Sequence, residues 1–366
     1  MVPCLRQEAC PVRPVGPYRR LGHGACGSVW TPSEATDPFA CYVFKREDGS
    51  TGRSLQREFN THRRVLWVFR LYMGMLLQDP DDPDLDLSWV VSIPYCYDLL
   101  VPGSPDHAMW WDATKARFPR SYTRCLTVQM ERIPSLPEDV RRKLIKTFCP
   151  TSLIGQIERS QSNRHCLVRP YLGRRRYNSR PFEGVSGHKP YFCAFSLHNY
   201  PLYLDQMEIL GIGKFHMSRY AVHMAEILAM LHWVAELDGN GIEFVLAPPR
   251  RAVDEKSKHR VHSPALGSHV VWVLDFDCCN TIPMNEEGVN QAVRAFCQND
   301  PYYPRPGLEH ELWKVFENAY FRRSDIILRH RTICGEKLDP DLPIMFIEGV
   351  EQELRYASKT ASVLPN

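Results

Sequence analysis

The chain has 366 residues, 44% of them hydrophobic and 24% charged, and carries a formal net charge of +3. This composition excludes a disordered tail, a coiled coil and a collagen-like chain, and so small a net charge gives no argument for nucleic acid. No apolar run reaches 18 residues and residues 1–20 hold no apolar core, so we expect no membrane span, no secretory signal and an intracellular protein, cytoplasmic or nuclear.

In chain order, a glycine-rich stretch at residues 22–29 comes first. A strand follows at 41–45 (CYVFK), then a helix over 55–77, then strands at 89–93 (WVVSI) and 126–130 (LTVQM). Pro134 and Pro137 break the pattern and set a boundary, giving a first domain of 1–133 and a second of 134–366. Beyond it lie a short charged helix at 138–148, an irregular basic stretch at 149–189 and a helix at 202–210. Residues 220–237 give the strongest helical pattern, with Ala221, Met224, Ala225, Leu228, Leu231 and Val234 at 3–4 spacing. A Pro-rich basic loop (247–269), a buried strand (270–276) and helices at 288–296 and 312–321 complete the reading.

The 13 cysteines contain no Cys-x2-Cys or Cys-x4-Cys pair, and His259 and His262 have no cysteine pair nearby. A tetrahedral zinc takes two ligands from one tight turn, so reduced thiols are expected instead. Residues 79–86 (DPDDPDLD) read as a solvated, proline-stiffened loop, since an EF-hand glycine and terminal glutamate are missing. Residues 164–180 carry six arginines and no acid: Arg164, Arg169, Arg174, Arg175, Arg176 and Arg180. They read as a solvated basic loop or as a dock for an anionic partner.

Four groups carry candidate chemistry. Gly22, Gly24, Gly27 and Val29 form G-x-G-x-x-G-x-V, where missing Cβ atoms let backbone approach phosphate. A strand follows rather than a helix, which favours a hairpin over a dinucleotide-binding turn. Lys45 ends that strand, and Glu58 opens the next helix where it can pair with the ammonium. Asp238 and Glu243 stand five residues apart after the strong helix, a step that suits a base and a metal ligand. Asp275 and Asp277 follow a hydrophobic strand, a common way to hold Mg2+.

The order of these groups resembles that of protein kinases over residues 21–277. The phrases NYPLYLDQMEILGI, HMAEILAMLHW, GIEFVLA, VWVLDFD and NDPYYPRPG resemble a fungal family of domains of unknown function whose members are often labelled zinc-finger proteins. The resemblance implies an α+β, protein-kinase-like two-lobed fold with a small β-rich N-lobe and a larger helical C-lobe. It implies ATP and Mg2+ as cofactors, with Gly22, Gly24, Gly27, Val29 and Lys45 at the nucleotide. Glu58 would hold Lys45, Asp238 would act as base, and Asp275, Glu243 and Asp277 would be metal ligands. The chain departs from the kinase pattern at several points: Glu236-Leu237-Asp238 replaces His-Arg-Asp, Asn240 replaces a lysine, Glu243 an asparagine, and Asp277 the glycine of Asp-Phe-Gly. Asp-Phe-Asp itself resembles small-molecule phosphotransferases such as aminoglycoside and choline kinases.

The leading expectation is thus an atypical ATP/Mg-dependent phosphotransferase acting on an unidentified protein or small-molecule acceptor. The alternative is a pseudokinase acting as an interaction module, compatible with an accessory role in fungal secondary metabolism. A zinc-dependent nucleic-acid binder ranks below both.

Overall fold

The computed structural model describes residues 16–24, 26–37, 39–50, 52–76, 92–176, 195–250 and 260–363. The acidic run 79–86, residues 89–91 of an expected strand, Arg180 and His259 lie outside the described residues. The chain is an α+β protein with a β-sheet N-terminal region and a helical C-terminal region. It divides into two compact units, one of residues 1–60 and 94–132, the other of 61–93 and 133–366.

The first unit is built on a five-stranded antiparallel sheet. In chain order its strands are β1 (Tyr18–His23), β2 (Ser28–Pro32), β3 (Tyr42–Arg46), β4 (Cys96–Leu100) and β5 (Thr127–Glu131), and their spatial order is β1-β2-β3-β5-β4. The period-2 alternation of β3 splits its side chains between two faces. Phe44 joins Tyr18, Trp30, Leu100 and Phe118 in one aromatic core, against which Trp110 of α2 (Ala108–Thr114) packs. Leu55 and Phe59, from the start of α1 (Leu55–Leu76), pack with Leu99 and Val128 in a second cluster. Arg46 is buried, with its guanidinium 4.4 Å from the Phe118 ring centre and hydrogen-bonded to the Thr123 carbonyl. Its Nε also faces Asp48 at 3.3 Å, so two of its nitrogens and its flat face are engaged, which offsets part of the cost of burying the cation.

The second unit carries a sheet of β6 (Val168–Tyr171), β7 (Tyr200–Tyr203), β8 (Glu243–Ala247), β9 (Val261–Ser263) and β10 (Gly267–Leu274), in the order β7-β6-β8-β10-β9. β6 and β7 run parallel and the other pairs antiparallel. Its helices are α3 (Glu138–Phe148), α4 (Ile154–Arg159), α5 (Leu204–Ile209), α6 (Lys214–Trp233), α7 (Glu286–Gln298), α8 (His310–Ile333) and α9 (Leu342–Val363). α6 is buried on nearly every face from Met217 to Trp233, which is why its apolar residues read so strongly in the sequence. It begins six residues before the expected start because Gly213 caps it ahead of the apolar stripe, and ends at Trp233, short of the left-handed Glu236 (φ 52°). Asn285 caps α7 by accepting from the Gly288 N–H, as side-chain oxygens do at helix starts. Two buried imidazoles brace this unit. His232 Nδ1 lies 2.8 Å from the Tyr320 hydroxyl, and His269 bridges the Gly267 carbonyl (2.9 Å) and the Tyr220 hydroxyl (2.7 Å). No helix among the described residues is long and apolar enough to cross a membrane.

Candidate functional site

In the first unit the glycine motif is a hairpin turn. Gly22 pairs with Val29 and His23 with Ser28 across β1 and β2, and Gly24 and Gly27 exchange backbone hydrogen bonds of 2.8 and 3.2 Å. The glycines differ in what they do. Gly27 has φ +143°, and a Cβ there would lie 2.0 Å from the Arg46 carbonyl oxygen. Beside it the Ser28 N–H and hydroxyl both donate to Asp48, at 2.6–2.8 Å. Around Gly24 a Cβ would meet nothing within 4 Å. Gly27 is therefore needed by the fold, whereas Gly24 has open space around it. Gly27→Ala is expected to lower the melting temperature of the ligand-free protein, at a cost of roughly 3 kcal/mol or more. Gly24→Ala is expected to leave that temperature unchanged. Thermal denaturation of the two variants side by side checks this, and equal stability would contradict it.

Val29 stands directly opposite Lys45 in the β2–β3 register. The Lys45 ammonium lies 2.6 Å from Glu58 Oε1, with side-chain exposures of 12% and 4%. So the structure brings together Gly22, Gly24, Gly27, Val29, Lys45 and Glu58 within one unit. The pair is nearly dry, so its two charges hold each other far more firmly than a surface pair would.

In the second unit Asp275 follows β10 with φ 66°, a left-handed backbone that costs a non-glycine residue energy and clusters at functional sites. Phe276 next to it is buried, its ring 5.1 Å from that of His62. Asp238 is also buried, and four donors meet its carboxylate. Oδ1 accepts from the Asn240 and Asn280 N–H groups (3.0 and 2.9 Å), and Oδ2 from the amides of Asn280 (3.1 Å) and Gln291 (2.9 Å). Its own N–H donates to the Asn280 carbonyl at 2.9 Å. Asp238 thus ties its loop to the segment after Asp-Phe-Asp, and to accept a proton it must give up a donor. Glu243 sits opposite Leu274 in the β8–β10 register, with both oxygens against Arg169 Nη2 at 2.5–2.6 Å.

Sequence reasoning missed several partners. Asn299 accepts from the Gly241 N–H (2.7 Å) and donates to the Gly239 carbonyl (2.9 Å), clasping the same loop. It opens the NDPYYPRPG phrase, which was visible, but nothing in the sequence linked it to a loop sixty residues earlier. Asn280 and Gln291 gave no signal. Two arginines of the basic stretch are paired with acids from elsewhere in the unit. Arg169 engages Glu243, and Arg175 bridges Glu208 and Glu309.

Among the described residues no group of three or more His, Cys, Asp or Glu side chains is placed to hold a metal ion. Mg2+ needs fewer, because it keeps water and leans on one or two carboxylates plus substrate phosphates. Asp275 and Asp277 supply two carboxylates two residues apart, and Glu243 is engaged by Arg169. The described cysteines are free thiols, and burial pushes the Cys166 thiol up to about 12 and that of Cys279 well above its ordinary value. Neither is a ready thiolate.

Residues 271–332 match the DUF3669 family, described as "Zinc finger protein". The match runs from the end of β10 through Asp-Phe-Asp, α7 and NDPYYPRPG into α8. No curated protein matches the chain.

Proposed function

We propose that this protein is an atypical, kinase-like phosphotransferase that uses ATP and Mg2+ to phosphorylate a hydroxyl acceptor. The observation that carries the proposal is the buried Lys45–Glu58 pair, set on a β1-β2-β3-β5-β4 sheet behind an open Gly24. An ammonium fixed in this way offers a preorganised positive charge to phosphate oxygens. Support from the second unit is the left-handed Asp275 at a strand end. In this reading Asp275 and Asp277 hold Mg2+, which would neutralise charge on the phosphates. Lys45 orients them, and Asp238 receives the acceptor proton after giving up one of its donors.

A second reading, a pseudokinase that binds nucleotide without transferring it, is favoured by the occupied state of Asp238 and Glu243. One experiment separates the two. Thermal shift with ATP, with and without Mg2+, should raise the melting temperature, since a ligand at a hundred times its Kd stabilises by about 2.7 kcal/mol. Labelled-phosphate release or transfer should then follow. Binding without turnover selects the pseudokinase, and no binding overturns both.

A further inference from the structure

Helix α8 rests on α6 by one face, and its last residue, Ile333, is 84% exposed. Ile344, near the start of α9, is 44% exposed. The two helices and the turn that joins them form an apolar groove of about 600 Å³, walled by Leu328, Ile333, Leu338, Pro340, Pro343 and Ile344. Exposed apolar side chains scattered singly carry no message. A protruding isoleucine at the edge of an apolar groove is different, because it sets a knob next to a hole.

The rim of this groove has a pattern of its own. Phe321, Asp325, Arg329 and Ile333 stand four residues apart and make one row of side chains along about 18 Å of α8. Asp325 and Arg329 are both exposed and are joined to each other, Arg329 Nε donating to Asp325 Oδ1 at 2.8 Å. Read towards the C-terminus, the row is apolar, acid, base, apolar. Read backwards it is apolar, base, acid, apolar, which is its own complement. A second row laid antiparallel, with a two-fold axis level with Ile327, sets Phe321 against Ile333 at both ends and Asp325 against Arg329 twice in the middle. Rows of this i, i+4 kind are the ones that interlock most often where helices pack.

We propose that this face of α8 docks a second copy of the chain in a two-fold dimer. Ile333 of each copy enters the groove of the other, and the two Asp325–Arg329 pairs exchange partners across the axis. The charge order sets the occupant. An acidic partner would meet Arg329 and be repelled by Asp325, and a basic one the reverse, whereas a surface that repeats the same order antiparallel matches both. A closed two-fold contact is also the commonest way in which one patch satisfies itself. A small apolar ligand would fill the groove and make no use of the charged row.

The test is sedimentation equilibrium of the full chain, of Asp325→Arg, of Arg329→Asp and of an equimolar mixture of the two variants. Both positions are exposed, and unchanged melting temperatures confirm that the variants are folded. The wild type should dimerise reversibly. Each single variant sets like charges across the axis and should dimerise about tenfold more weakly, or worse. The mixture should recover the dimer, because each copy then supplies the charge that the other lacks, and Asp325→Arg/Arg329→Asp should recover it alone. Ile333→Asp should abolish association. A monomeric wild type, a dimer indifferent to the single reversals, or a mixture no more associated than its components overturns the proposal. So does a monomer that binds a fatty acid such as laurate with an affinity that Ile333→Asp abolishes, which assigns the groove to a small ligand.

Discussion

Lys45→Met is expected to abolish detectable nucleotide binding, weakening it at least a hundredfold, and to destabilise the protein at the same time. The second effect follows from Glu58, which stays buried with its main cation gone. Breaking one side of a buried pair costs about 3–5 kcal/mol. A loss of binding in this variant alone would therefore be ambiguous. The double variant Lys45→Met/Glu58→Gln removes both charges at similar volume and should recover most of the lost stability. If Lys45 serves phosphate, the double variant melts near wild type and still binds no ATP. If the pair only fastens helix to sheet, stability returns and binding was never lost. Calorimetry on the three proteins with ATP and Mg2+ decides, and wild-type affinity in the double variant would remove Lys45 from the proposed site.

Acid should unfold the second unit through two histidines. Burial pushes the His232 imidazole down to about 3, partly offset by the nearby Asp238 charge, and pushes His269 down to about 4. Both are neutral in the folded state, and in the unfolded chain each takes up a proton near 6.5. Below that pH the unfolded state binds more protons, so the stability present above 6.5 is lost as pH falls towards the folded values. At pH 5 each site has forfeited about 2 kcal/mol, from some 1.5 pH units at 1.36 kcal/mol each. Burial holds the neutral form, and the hydrogen bonds fix its tautomer. The Gly267 carbonyl can only accept, so His269 carries its proton on Nδ1 and takes the Tyr220 hydroxyl proton at Nε2. Around it stand His216 and Arg219 of α6 and His262 of β9, with no carboxylate among the groups that shift it. Denaturation midpoints between pH 7.5 and 5 should fall steeply in wild type and more gently in His232→Asn/His269→Gln. Parallel slopes would refute the assignment.

Much of the first unit was legible in the sequence because its signals are local. The glycine spacing, the strand ending in lysine and the helix opening on glutamate are each read within a few residues, and strand pairing then brought them together. The covering of the Phe44 face by Trp110, Phe118 and Tyr122 was not legible, since aromatic packing across 66 to 78 residues leaves no period to read. In the second unit the strong helix and the hydrophobic strand were found from their burial pattern. The state of the acids was not. Asp238 and Glu243 looked like free carboxylates by spacing, but their partners Asn280, Gln291 and Arg169 come from 42, 53 and 74 residues away. Which side chain meets a carboxylate depends on tertiary register, which spacing along one segment does not encode.

The matched stretch begins inside β10, a strand bonded to β8 on one side and β9 on the other, and it ends within α8, whose buried face rests on α6. A zinc finger in the usual sense is a bead that carries its own fold from protein to protein. Residues 271–332 are not such a bead: cut out, they would take one strand without its neighbours and one helix without its bed. The fitting boundary for a fusion or a transplant is therefore the whole of the second unit.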